Sequence, residues 1–246
     1  MSISRQNLSI VIVTIKSEGV IDQCIESINE DLPIIIVENS NNSKFTKYLE
    51  KKYKNIRCIL SKENLGMGSG NNIGIKEVKT DFVFIINPDV CLEYDTIDEL
   101  ILGSEKLSDF SIIAPISSNV NYPNYSLDEN QKKLKKENFP FKVNSVDGFA
   151  MLFNKKKIDT IVKNEASNYK NNYFDENFFM YLENNDLCKR LIQKEESIYI
   201  IPSAKINHFG AKAVDKKYNK EIELSRNWHW IWSKFYFNKK HFGFLK

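Results

Sequence analysis

Leu8-Ser9-Ile10-Val11-Ile12-Val13-Thr14-Ile15 is an almost unbroken apolar, β-branched run, the composition of a strand covered on both faces. A helix with Val20, Cys24, Ile25 and Ile28 along one side is expected next. Residues 33–37 (PIIIV) read as a second strand, and Asn39-Ser40-Asn41-Asn42-Ser43 supplies a turn and a helix cap. A charged helix around 44–53 then leads to a strand at 56–60. The glycine-rich segment from Asn64 to Gly74 passes into a helix, and Phe82 to Ile86 (FVFII) forms another buried strand. Short apolar strands alternating with helices over the first 110 residues predict an α/β, Rossmann-like, mostly parallel sheet flanked by helices. Such sheets take ligands beyond the carboxyl ends of their strands.

The second half reads differently. Residues 117–142, rich in Asn, Lys, Tyr and Pro without a period, are expected to form a surface excursion. Val143 to Phe153 returns as a strand or hairpin arm, followed by a lysine-rich turn and a polar loop at 164–172. Ile198–Ile201 and Ala204–Asn207 read as two short strands ending at His208, and a helix runs from Asn219 to about residue 238. Residues 1–215 form the main domain in this reading. Residues 216–246 form an aromatic and basic C-terminal helical extension packed on it.

Hydrophobic residues at 42% and aromatics at 12% describe a folded protein. A net charge of +3, from 35 basic residues interleaved with 32 acidic ones, gives no reason to expect a nucleic-acid partner. Cys24, Cys58, Cys91 and Cys188 are scattered through apolar segments, the usage of reduced thiols in a cytoplasmic protein. The first residues lack the order of a signal peptide, and no apolar run is long enough to span a membrane.

The polar groups that carry chemistry stand at strand and helix ends. Glu38 closes the second strand, where a carboxylate can accept from a ribose or a base. Gly66, Gly68 and Gly70, with Asn64 and Asn71 beside them, would let backbone N–H groups approach a ligand. Their spacing is not that of a nicotinamide fingerprint. Asn87-Pro88-Asp89 follows a strand directly, so Asp89, with Asn87 beside it, can hold a divalent cation, and His208 is a second candidate ligand. Asp147 and Gly148 at another strand end are candidates for an acceptor hydroxyl, with a tight turn equally able to explain them. In Tyr181-Leu182-Glu183-Asn184-Asn185-Asp186, followed by Arg190, two carboxylates and a guanidinium share one helical stripe. A carboxylate fixed there suits the deprotonation of a hydroxyl, and an Asp186–Arg190 ion pair is the plain structural alternative. In the tail, Trp228, Trp232 and Phe235 or Tyr236 recur at helical spacing. Packing is the preferred reading, with peripheral contact at the inner face of a membrane as the alternative.

Together these stretches resemble the family 2 glycosyltransferases of the GT-A fold, particularly the rhamnosyltransferase-like branch. LSIVIVTIKS, IVENS, NLGMGSGNNIGI, INPDV, VDGFAMLFNKK, FDENFFMYLENNDLCKRL and INHFG occur in the order of that family. The resemblance implies that Thr14, Glu38, Asn64 and Gly70 line a nucleotide pocket, Asp89 and His208 hold Mg²⁺ or Mn²⁺, and Asp147 lies near the acceptor. It also implies a cytoplasmic, inverting hexosyltransferase using a dTDP- or UDP-sugar, rhamnose or a similar hexose. The acceptor would be a cell-surface polysaccharide or lipid-linked glycan. Two positions depart from the pattern. Asn87 replaces the first aspartate of the metal motif, and Asn184 stands where an aspartate base is usual. An amide cannot take a proton at neutral pH. Glu183, or failing that Asp186, is expected to serve as base, and Asn184→Asp is expected to preserve or raise activity. A non-catalytic sugar-nucleotide-binding or scaffold protein is the alternative that Asn184 keeps open.

Overall fold

The computed structural model describes residues 2–28, 32–119, 121, 123–134, 138–163, 172–209 and 219–243. Its first half alternates β1 (Leu8–Thr14), α1 (Ile21–Glu26), β2 (Ile34–Glu38), α2 (Ser43–Lys52), β3 (Ile56–Leu60), α3 (Gly66–Glu77) and β4 (Phe82–Ile86). There follow β5 (Val90–Leu92), α4 (Thr96–Glu105), β6 (Ile112–Ser117), β7 (Tyr125–Ser126), α5 (Glu129–Leu134), β8 (Phe141–Lys142) and β9 (Ser145–Val146). The chain ends with β10 (Ala150–Asn154), α6 (Lys155–Lys163), α7 (Glu183–Gln193), β11 (Ile198–His208) and α8 (Asn219–Phe242).

The main sheet runs β3-β2-β1-β4-β10-β6-β11-β5, with β8 also on β11. Its left half is parallel, β10 is antiparallel to β4, and β6 and β11 pair in parallel. In β1, Leu8, Ile10 and Ile12 enter the apolar cluster on one side and Val11 the cluster on the other. That division is why the run shows no polar alternation: both faces are covered.

Several boundaries differ from expectation, each for a long-range reason. The glycine-rich segment is helix from Gly66 onward rather than a loop before one. A Cβ on Gly70 would meet Val13 Cγ1 at 2.8 Å, and one on Gly74 would meet Val11 Cγ1 at 2.5 Å. These glycines let α3 lie directly on β1. Residues 155–163, expected as a turn, are helix because Ile158 and Val162 are buried one turn apart. The strand or hairpin arm expected at 143–153 is two strands, β9 and β10, separated by Asp147-Gly148-Phe149. Conversely, the two short strands near 198–207 are one strand, whose register on β6 shifts between Ile201 and Lys205. Pro202 lies in that interval and has no N–H for the ladder. The excursion at 117–142 contains β7, α5 and β8, with β7 paired to β9. Most of the expected loop at 164–172 lies outside the described residues.

α8 packs on the segment before α7 and on the start of α7, and of the expected aromatic stripe it is Tyr236, not Trp228, that takes part. Ser233 Oγ donates to Met180 O at 2.7 Å, and Tyr236 Oη donates to Asp175 Oδ2 at 2.9 Å. Lys240 Nζ bridges Asp175 Oδ2 at 2.7 Å and Asp186 Oδ1 at 2.6 Å. Trp228 and Trp232 are 68% and 45% exposed, so packing does not account for them. No described helix is long and apolar enough to cross a membrane.

Candidate active site

The carboxyl ends of β1, β2 and β4 hold the first group of polar residues. Thr14 and Glu38 are register partners, and Thr14 Oγ1 is buried without a hydrogen bond. Glu38 is occupied locally: its carboxylate accepts from Ser40 N at 3.0 Å, from Ser40 Oγ, and from Asn42 N at 2.6 Å. It therefore shapes the turn after β2, where Asn41 takes the left-handed conformation (φ 58°). The neighbour that reaches outward is Asn39. Its amide donates to Asn64 Oδ1 at 3.2 Å and to Gly66 O at 3.0 Å, and its oxygen accepts from Leu65 N at 3.2 Å. Asn64 Oδ1 also accepts from Gly66 N at 3.0 Å. Gly66 has φ +81°, and a Cβ there would run into the Phe179 carbonyl. Gly66 and Asn64 are thus joined to the 179 segment by geometry, while Gly70 abuts Val13. Asn71 is buried on α3 with Oδ1 unsatisfied.

The second group is made by strand pairing. β5 runs antiparallel to β11 with Val90 opposite His208, which sets the imidazole beside the residue preceding Val90. His208 Nε2 lies 3.4 Å from Asp89 Oδ1, and Asp89 is 8% exposed. The His208 ring stacks on Phe149 at 4.1 Å, and Phe149 O accepts from Asn87 N at 2.9 Å. Asp147 is half-buried on the same side: burial raises its pKa and the nearby His208 partly offsets this. An oxygen and an imidazole nitrogen so close can share one divalent cation. Among the described residues no group of three His, Cys, Asp or Glu side chains could hold a metal. The pair could supply two of the ligands of such a cation.

The third group is the start of α7. Tyr181 (φ 73°) and Leu182 (φ 65°) are consecutive left-handed residues, an arrangement that costs free energy and marks sites where aim matters. They deliver Glu183 onto α3, where a Cβ on Gly68 would lie 3.5 Å from Glu183 Cβ. Burial pushes the Glu183 carboxyl up to about 7, against a smaller opposite effect of its own backbone N–H, and Oε2 has no hydrogen bond. Asn184 turns the other way. Its Nδ2 donates to Val146 O at 2.7 Å, and it lies against Gly148. Asp186 is fully buried, with Arg190 Nε at 2.9 Å, Lys240 Nζ at 2.6 Å and His241 Nε2 at 2.8 Å. Burial alone would raise its pKa, but the His241 bond, the Arg190 charge and Lys240 outweigh it and hold the group at about 2. So strongly paired an acid is a poor proton acceptor, which corrects the expectation that Asp186 could replace Glu183 as base.

Sequence reasoning missed Asn39, Phe149 and Asn72. Asn72 Oδ1 accepts from Phe174 N at 2.9 Å and its Nδ2 donates to Phe174 O at 2.8 Å, tying the segment before α7 to α3. Asn39 and Asn72 stood inside motifs already singled out, yet nothing local separates an amide that pins a distant loop from one that faces a ligand.

Residues 9–162 match the family described as Glycosyl transferase family 2. The low-salt glycan biosynthesis hexosyltransferase Agl10 of Haloferax volcanii is 27% identical over 236 residues, covering 89% of this chain and 69% of that protein. The rhamnosyltransferase WbbL of Escherichia coli K12 is 26% identical over 227 residues, covering 81% of this chain and 82% of that protein. Among solved structures, GalNAc-T7 with UDP, GalNAc and Mn²⁺ superposes with a TM-score of 0.66 at 11% identity. S. aureus TarS residues 1–349 in complex with UDP superposes with a TM-score of 0.55 at 12% identity. Each superposition covers 82% of this chain, which spans 43% and 60% of those two solved chains. The shared architecture is the GT-A fold.

Proposed function

The chain belongs to glycosyl transferase family 2 and is a glycosyltransferase, and from that premise we propose that it transfers a hexose, with inversion, from a nucleoside-diphosphate donor to a hydroxyl of a glycan. The observation that carries this reading is the meeting of Asp89 and His208 at 3.4 Å beside the ends of the parallel strands. Supporting it are the likeness to the hexosyltransferase Agl10 and the rhamnosyltransferase WbbL and the UDP and Mn²⁺ bound to the structural neighbours. Asp89 and His208, with Asn87 beside them, would hold Mg²⁺ or Mn²⁺, which when bound offsets charge on the departing diphosphate. Because the protein supplies only part of the shell, metal and donor should bind together rather than independently.

Glu183 is the base in this reading. Its burial places the pKa near neutrality, where a carboxylate can both take and release a proton. The acceptor O–H gives its proton to Glu183 as the oxygen attacks the anomeric carbon and the bond to the diphosphate breaks. Asp147 orients the acceptor hydroxyl. A screen of UDP- and dTDP-sugars with Mn²⁺ or Mg²⁺, following release of nucleoside diphosphate, tests the assignment. Turnover lowered about 100-fold or more in Glu183→Gln, with donor binding retained, is expected. Loss in Asp147→Asn with Glu183→Gln unaffected would move the base to Asp147. Donor binding without turnover would favour a sugar-nucleotide-binding role.

A further inference from the structure

α8 has two unlike faces. The inner face holds the segment that carries Glu183: His229 stacks on Phe179 at 4.4 Å, Ser233 bonds Met180, and His241 and Lys240 reach Asp186. The outer face carries Leu224, Trp228, Ile231 and Phe235, spaced 4, 3 and 4 residues apart. That spacing draws one continuous stripe along a helix. These side chains are 63%, 68%, 66% and 49% exposed, and Trp232, 45% exposed, widens the stripe on one side. An apolar patch of this size on one helix marks an interaction surface.

The charge beside the stripe selects the occupant. Lys234 and Lys239 are exposed on either side of it, while Glu223 is the acidic residue among the described side chains of α8. If the stripe met a second copy of itself, Lys234 and Lys239 would border the seam where opposite charges are needed. Amphipathic indoles beside exposed cations suit the boundary between anionic headgroups and acyl chains.

We propose that the outer face of α8 docks onto an anionic phospholipid bilayer, lying in the interface with Trp228 and Ile231 buried among the lipids and Lys234 and Lys239 at the phosphates. The docking is a property of this face and needs no sugar transfer, so its test is independent of the proposed reaction. The full chain should sediment with phosphatidylcholine vesicles containing phosphatidylglycerol but not with pure phosphatidylcholine vesicles. Its tryptophan emission should shift to the blue on binding, and salt should weaken the association. Lys234→Glu with Lys239→Glu should lower binding by about tenfold or more. Trp228→Ser with Ile231→Ser should do the same, with an unchanged melting temperature because these side chains are exposed. Equal binding to both vesicle types, absence of binding, or binding insensitive to both pairs of substitutions would overturn the proposal. A parent dimer that the Trp228 and Ile231 changes dissociate would also overturn it, naming a second copy as the occupant.

Discussion

Glu183 and Asp186 stand three residues apart on one helix, yet their surroundings drive their acidities in opposite directions. The Glu183 carboxyl is raised from 4.5 to about 7, so between those values the folded chain keeps a proton that the unfolded chain has lost. Its contribution to stability is complete below about pH 4.5 and is lost as pH rises through about 7. Turnover should rise over the same upper range as the base deprotonates. Glu183→Gln should remove that limb from the rate profile and melt higher than the parent at alkaline pH, and a parent rate flat across neutrality would refute the base assignment. Asn184 shows how position revises a chemical expectation. Its amide donates to a buried carbonyl, so Asn184→Asp would set an acceptor against Val146 O. We expect a loss of about 1–3 kcal/mol in denaturant unfolding, a cost that the expectation of preserved or raised activity did not include.

α3 is the element whose sequence was read most nearly right and for an incomplete reason. The glycines were legible as permitting close approach. What they approach is mainly β1, because the helix lies on the sheet at a separation that leaves no room for a methyl group. Gly74→Val should destabilise the chain by about 1–3 kcal/mol through overpacking against Val11, measurable as a lowered urea midpoint with an unchanged slope. The buried strands β1, β2 and β4 were legible because burial on both faces leaves only apolar, β-branched residues. Segments that are half-covered or short carry a fainter signal: the break at Asp147-Gly148-Phe149 and the helix at 155–163 depend on partners far away in sequence.

Across the molecule, α8 acts as a strap tied to the start of α7 by charge. Asp186 is buried against Arg190, Lys240 and His241, and removing its charge would take away the anion that Arg190 and Lys240 share, although Lys240 keeps Asp175. Asp186→Asn should cost about 3 kcal/mol, seen in thermal or chemical unfolding. In the parent, the carboxyl is lowered from 3.8 to about 2, so its contribution is present above about pH 4 and lost as pH falls through about 2. The sequence by itself determined the α/β class, most strand positions, and the ordered motifs that mark the family, since these follow from local hydrophobic pattern and from residue types at strand ends. Only the tertiary structure decided that His208 faces Asp89, that Glu38 serves its own turn, that Asp186 is an ionic anchor, and that Trp228 of α8 points outward while Trp230 packs on Tyr181. Each of those depends on strand pairing or helix docking between residues distant in the chain, and no local preference encodes which group a side chain will meet there.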